Sequence, residues 1–176
     1  MGKFQRKNMR EVRYETPESE MFDGKPSIFL AGPTVRGHQT HLQPSWRFEA
    51  CKILREIGWS GNVIIPEFSD ITQPDKGNED WIVPWEYNGL KNCDVILFWI
   101  PRSKELIGLN TNFEFGYWLN SLKSIVYGRP DDSYRNKYLD IMYRMEYGKD
   151  EMIYNTLEDT CVAAREKYHW SFRDSI

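Results

Sequence analysis

Glu114 stands between two phenylalanines in the run NTNFEFGYWLNS (110–121), and a second acid, Glu86, sits in the aromatic segment WIVPWEYNGL (81–90). A pair of carboxylates can divide chemistry between them, one attacking as an ion while the other supplies a proton, provided their surroundings push the two pKa values apart. Each acid also has a plainer use. Thr111-Asn-Phe-Glu114 spells a capping box, in which threonine and glutamate satisfy amides at a helix start, and a glutamate such as Glu86 most often sits in solvent on a helix face. If Glu114 opens its helix, burial against Phe113 and Phe115 raises its pKa while the free N–H groups of the first turn lower it; the second effect is expected to win and keep the carboxyl ionised.

Other motifs narrow the chemistry. AGPTVRG (31–37) contains neither GxGxxG nor a Gly-Lys-Ser/Thr ending, so neither a dinucleotide fingerprint nor a triphosphate loop is expected. Ala31-Gly32 still lets a small ligand approach the backbone. His38 and His41 lack a third ligand at metal spacing, and no metal or other cofactor is expected. Arg102, directly after the most apolar segment of the chain, is either an anion holder or a solvated loop residue.

These groups must be held by a fold whose class the remaining pattern indicates. SIFLA (27–31), NVIIP (62–66), CDVILFWIP (93–101) and SIVYG (124–128) read as buried strands. Between them a helix runs from Trp46 to Gly58 with Ser45 as its cap, a short helix begins at or after Pro84, and a third carries Glu114 with Phe115, Trp118, Leu119 and Leu122 as its apolar stripe. Two more helices are predicted over about 133–146 and 156–168. Strands alternating with helices indicate an α/β domain, a three-layer sandwich around a mostly parallel sheet of four or five strands. Residues 25–176 are assigned to that single domain and residues 1–24 to a polar extension with one short strand around Glu11–Tyr14. Ligands of such sheets bind beyond the carboxyl ends of the strands, here 31–37, 66–70, 101–112 and 128–132.

Composition excludes several classes. With 23 Lys plus Arg against 26 Asp plus Glu, no basic face for a nucleic-acid polymer is expected. No segment has membrane-spanning length, the amino terminus lacks the apolar region of a signal peptide, and Cys51, Cys93 and Cys161 show no pairing pattern, so a cytoplasmic protein with reduced thiols is expected. Seven Trp and ten Tyr exceed what a core of this size needs, which points to a site for something flat or to an interface.

Taken together, IFLAGP, SWRFEA, VIIPE, WIVPWEYNGL, CDVILFWIPR and TNFEFGYWLNS resemble the nucleoside 2-deoxyribosyltransferase family, in its nucleoside 2-deoxyribosyltransferase-like branch, from about Ser27 to Asp132. The resemblance implies a flavodoxin-like fold and makes Glu114, in Glu114-Phe115-Gly116, the nucleophile on the anomeric carbon of a 2-deoxynucleoside. Glu86, eight positions before Asp94, becomes the helper in base protonation. The family's turn after the first strand corresponds to Ala31-Gly32, but its tyrosine corresponds to Phe29, which has no hydroxyl. Its aspartate upstream of the nucleophile is replaced by LIGLNTNF, where Asn110 or Asn112 takes over base or sugar contacts. Trp46, Trp85 or Trp118 is expected to stack on the base.

The implied activity is transfer of 2-deoxyribose from a nucleoside to a free nucleobase. A hydrolase of deoxynucleoside 5′-monophosphates is the alternative, with Arg47, Arg102 or Arg129 on the phosphate, and a nucleotide-sensing module without turnover is a third reading. By the same resemblance a homodimer or higher homo-oligomer is expected, with residues 134–140, among them Asn136, near a neighbour's site.

Overall fold

The runs SIFLA (27–31) and VILFW (95–99) are apolar and buried on both faces, which calls for helices above and below the sheet. The computed structural model describes residues 8–35, 45–70 and 79–173 and contains that arrangement. Five parallel strands, β1 (Arg10–Val12), β2 (Ser27–Ala31), β3 (Asn62–Ile64), β4 (Val95–Trp99) and β5 (Ser124–Gly128), form one sheet in the order β1-β3-β2-β4-β5. Helices α1 (Trp46–Glu56), α2 (Glu79–Asn92), α3 (Leu109–Leu119), α4 (Lys137–Tyr147) and α5 (Leu157–Arg173) complete a three-layer, flavodoxin-like α/β sandwich.

Alternation along the strands sorts the core into two layers. Phe29, Ala31, Ile96 and Phe98 face Trp85, Leu90, Phe115, Trp118, Leu139 and Tyr143 of α2, α3 and α4. Ile28, Leu30, Val95, Leu97 and Trp99 face Ala50, Leu54, Cys161 and Ala164 of α1 and α5. The three cysteines are buried free thiols whose pKa values burial pushes up to about 12.

The chain leaves β2 for β3 on one side and then crosses to β4 on the other. The crevice beyond the ends of β2 and β4 is therefore the switch point where such sheets hold ligands. Two glycines shape it. At Gly32 (φ +153°) a Cβ would collide with the carbonyl oxygen of Trp99 and come within 2.9 Å of the Trp46 ring, so only glycine lets the turn after β2 pass this close to β4. At Gly89 a Cβ would meet the Phe29 ring at 2.7 Å, and its absence lets α2 lie against β2 and carry Glu86 over the strand ends.

The N-terminal segment is more structured than its polarity suggests, because β1 pairs in register with β3 and Val12 is fully buried. Three local expectations are corrected. Helix α2 begins at Glu79 with Pro84 inside it, because Trp85 is buried and Trp81 packs on Tyr14, so tertiary contact outweighs the amide lost at proline. Helix α3 begins at Leu109 behind Gly108 (φ +65°), with Thr111 buried inside its first turn, so Thr111 does not act as an N-cap. That helix ends at Leu119, leaving Leu122 outside the apolar stripe, fully exposed in a left-handed turn.

Gly116 lies within α3 with nothing within 4 Å of where a Cβ would stand. Gly116→Ala is therefore expected to raise stability by about 1 kcal/mol, a Tm rise of roughly 2–4 °C for a domain of this size in a thermal melt.

Candidate active site

Four elements converge on the end of the sheet. Tyr14 follows β1, Arg47 opens α1, Glu86 lies on α2 and Glu114 on α3, and the four form one electrostatic group. Burial, then the charge of Glu86, raise the Glu114 pKa to about 8, against a lowering by Arg47. Burial, then Glu86, likewise raise the Tyr14 phenol well above its ordinary value, with Arg47 and Glu114 acting on it as well. Tyr14 donates a short hydrogen bond to Glu86 Oε1.

Glu114 is therefore not held as an ion. Leu109 is the first residue of α3, which places Glu114 in the second turn, beyond the free N–H groups that were expected to stabilise its charge. Burial and a like charge win instead. The surroundings of Glu114 thus favour its protonated form, while Glu86 accepts from Tyr14.

Arg47 is a structural anchor for this site. It is 1% exposed and pairs with Glu67, 4% exposed, at 2.7 Å. Its Nε donates to the Leu30 carbonyl at 3.0 Å, Nη2 to the Gly32 carbonyl at 2.8 Å and Nη1 to Thr34 Oγ1 at 3.2 Å. Ser45 caps α1 by accepting from the Arg47 amide, and its hydroxyl donates to Glu67 at 2.8 Å. One guanidinium thus ties the turn after β2 to the start of α1 and to Glu67 just beyond β3. Trp46 lies beside it, with the Arg47 guanidinium 4.7 Å from its ring centre and its own Nε1–H donated to the Pro33 carbonyl at 3.1 Å.

Not every expected site residue faces this cluster in the same way. Phe29 and Ala31 are buried in the core layer beneath α2 and α3, and Gly32 forms the turn above them. Trp85 is almost fully buried, its Nε1–H donated to the Thr16 carbonyl at 2.9 Å and its ring in edge contact with Tyr14 at 5.0 Å, so it supports the tyrosine from below. Trp118 is buried between helices, 5.6 Å from the Tyr87 ring. Asn110 is exposed on the first turn of α3. Asn112 accepts from Arg102 Nη2 at 2.7 Å, and both line a different cavity, between α3 and α4. Arg129 is bound through Nε and Nη2 to Asp140, at 2.7 Å for the shorter contact. Asn136 is buried and donates to the Ile100 carbonyl of its own chain at 3.1 Å. Asp94 accepts from Ser27 at the opposite, amino end of the strands. His38 and His41 lie outside the described residues.

Glu67 and Phe68 fall within the expected strand-end segment 66–70 without being singled out by any motif, whereas Tyr14 and Trp81 lie outside the expected segments. Phe68 and Trp81 make edge contacts with Tyr14 at 5.1 and 5.6 Å and are half-buried, so they form the aromatic rim that Trp85 and Trp118 do not. Counting β1 as a strand of the sheet would have placed Tyr14 among the strand-end positions. Tyr14→Phe is expected to lower kcat by about ten- to a hundredfold with KM little changed, because a hydrogen bond to a charged group contributes about 1.5–3 kcal/mol; steady-state kinetics separate the two parameters.

Among the described residues, no group of three His, Cys, Asp or Glu is placed to hold a metal ion, and no helix is long and apolar enough to cross a membrane. A family model described as nucleoside 2-deoxyribosyltransferase like matches residues 25–131. The match spans Gly32, Arg47, Glu67, Glu86 and Glu114 and begins after Tyr14. No curated protein matches the chain.

Proposed function

The chain belongs to the nucleoside 2-deoxyribosyltransferase like family, and on that premise we propose that it transfers 2-deoxyribose between nucleobases through an ester on Glu114. The observation that supports this reading is the convergence at the end of the sheet of two carboxylates from different helices, Glu86 bonded by Tyr14 and Glu114 with its charged form disfavoured by burial and by Glu86. Such a pair starts the reaction with one proton and one negative charge, the complement that N-glycosidic cleavage needs.

In this scheme the bond between C1′ and the base nitrogen breaks as a carboxylate oxygen of Glu114 bonds to C1′. The proton held by the pair passes to the departing base through Glu86. An acceptor base then attacks C1′ from its own nitrogen, the ester bond breaks to release the Glu114 carboxylate, and the acceptor's proton returns to the pair. Tyr14 orients Glu86, and the Phe68–Trp81 rim receives the base.

Substrate charge separates this reading from cleavage of deoxynucleoside 5′-monophosphates. Two of the three arginines expected to hold a phosphate, Arg47 and Arg129, are already neutralised by Glu67 and Asp140, which favours an uncharged nucleoside. Incubation with deoxyinosine plus adenine, and separately with deoxynucleoside monophosphates alone, tests the choice by chromatography. Deoxyadenosine in the first mixture is the expected result. Free base from monophosphates without an acceptor would identify the hydrolase, and neither product a sensing module.

The family premise also extends to self-association. Leu109 and Phe113 on α3 and Met145 on α4 are more than 70% exposed, large apolar groups that suit a contact with a second copy.

A further inference from the structure

A cavity of about 340 Å³ opens between α3 and α4, on the far side of the helix that carries Glu114. Its lining includes Arg102, Asn112, Phe115, Gly116, Arg135 and Tyr138, and neither Glu114 nor Glu86. Arg102 is 6% exposed, yet among the described residues no carboxylate pairs with it, and its Nε has no hydrogen-bond partner. Among the described residues its side chain makes one hydrogen bond, Nη2 to Asn112 Oδ1 at 2.7 Å. A buried guanidinium with an orphaned donor is costly unless something anionic completes it. Arg135 is exposed at the mouth, pairs with no carboxylate among the described residues and lies 5.1 Å from the Tyr134 ring. Its backbone is left-handed (φ +53°), unusual for a residue with a side chain. The nearby acid Asp140 is taken by Arg129 and Tyr127.

We propose that this cavity is a binding site for a phosphate monoester, its dianion held between Arg102 and Arg135 and its organic body against Phe115, Leu139 and Met142. Two guanidiniums match a dianion better than a carboxylate, and planar fork donors suit phosphate oxygens. The volume exceeds the ~30 Å³ share of a water molecule roughly tenfold and reaches the ~300 Å³ at which organic ligand sites begin, so a bare phosphate leaves most of it unfilled. Gly116 keeps that space open at a cost in helix propensity. The proposal is independent of the chemistry assigned to Glu114.

Isothermal titration calorimetry of the full chain tests it with phenyl phosphate, inorganic phosphate and phenol. Phenyl phosphate is expected to bind more tightly than inorganic phosphate, with no detectable heat from phenol. Arg135→Gln is expected to weaken phenyl phosphate at least tenfold, and Glu114→Gln to leave it unchanged. Arg102→Gln is expected to abolish binding; if that variant does not fold, the exposed Arg135 carries the test alone. No binding to the unaltered protein, equal affinity for the two phosphates, an unaffected Arg135→Gln variant, or loss of binding in Glu114→Gln would each overturn the proposal.

Discussion

Glu114→Ala is expected to lower kcat/KM for base exchange by about 10⁴-fold or more, because removing a covalent nucleophile removes the step itself and leaves only binding and charge stabilisation. The same position is expected to limit stability. Folding raises the Glu114 pKa from an ordinary 4.5 to about 8, so the folded state binds the proton more tightly than the unfolded chain does. The stability this gives is fully present below pH 4.5 and is lost as pH rises through about 8. Glu114→Gln keeps the shape and cannot ionise. Its Tm should therefore match that of the unaltered protein near pH 4.5 and exceed it increasingly as pH rises towards 8, a gain in stability bought with activity. Activity has a matching dependence. Above about pH 8 the pair loses the proton it must give to the leaving base, so kcat/KM should fall there, with an apparent pKa that belongs to the pair.

Breaking the Arg47–Glu67 pair is expected to have the largest effect on folding. Both side chains are nearly inaccessible, and the guanidinium also satisfies the carbonyls of Leu30 and Gly32. Glu67→Ala strands that charge in a low-dielectric interior, and Arg47→Ala strands the carboxylate and two carbonyl oxygens. Each should destabilise by about 3–5 kcal/mol in a denaturant titration. The double variant Arg47→Met with Glu67→Met should lose less than the sum of the two single substitutions, because no charge is left buried. If the two effects add in full, the pair does not act as a unit and the turn after β2 is held by other contacts.

The sheet was legible in the sequence because its strands are short apolar runs bounded by Gly, Pro, Asn and Asp. SIFLA matches β2 to the residue, and the alternation of strands with helices indicates the parallel α/β class. The element that escaped full weight, β1, is three residues long and surrounded by charge, so no local pattern marks it as part of the sheet; only pairing with β3 makes it one. The start of α2 was misplaced for a related reason, since Pro84 is a local signal and the burial of Trp85 is not. At the candidate site, Glu114 and Glu86 were legible as residues, but their protonation was not. It depends on Glu114 lying a full turn inside α3, which the Thr-x-x-Glu spacing concealed, and on two carboxylates from different helices meeting. The roles of Tyr14 and Glu67 are hidden for the same reason, because their partners are 72 and 20 residues away, even though Glu67 falls in the expected strand-end segment 66–70.

Intact-protein and peptide mass spectrometry after rapid quenching in the presence of a 2-deoxynucleoside, with no acceptor base added, addresses the ester directly. A deoxyribosyl adduct on the peptide containing Glu114, absent from Glu114→Gln and discharged by adding a nucleobase, is the expected result. An adduct on another residue, or full exchange activity in Glu114→Ala, would contradict it.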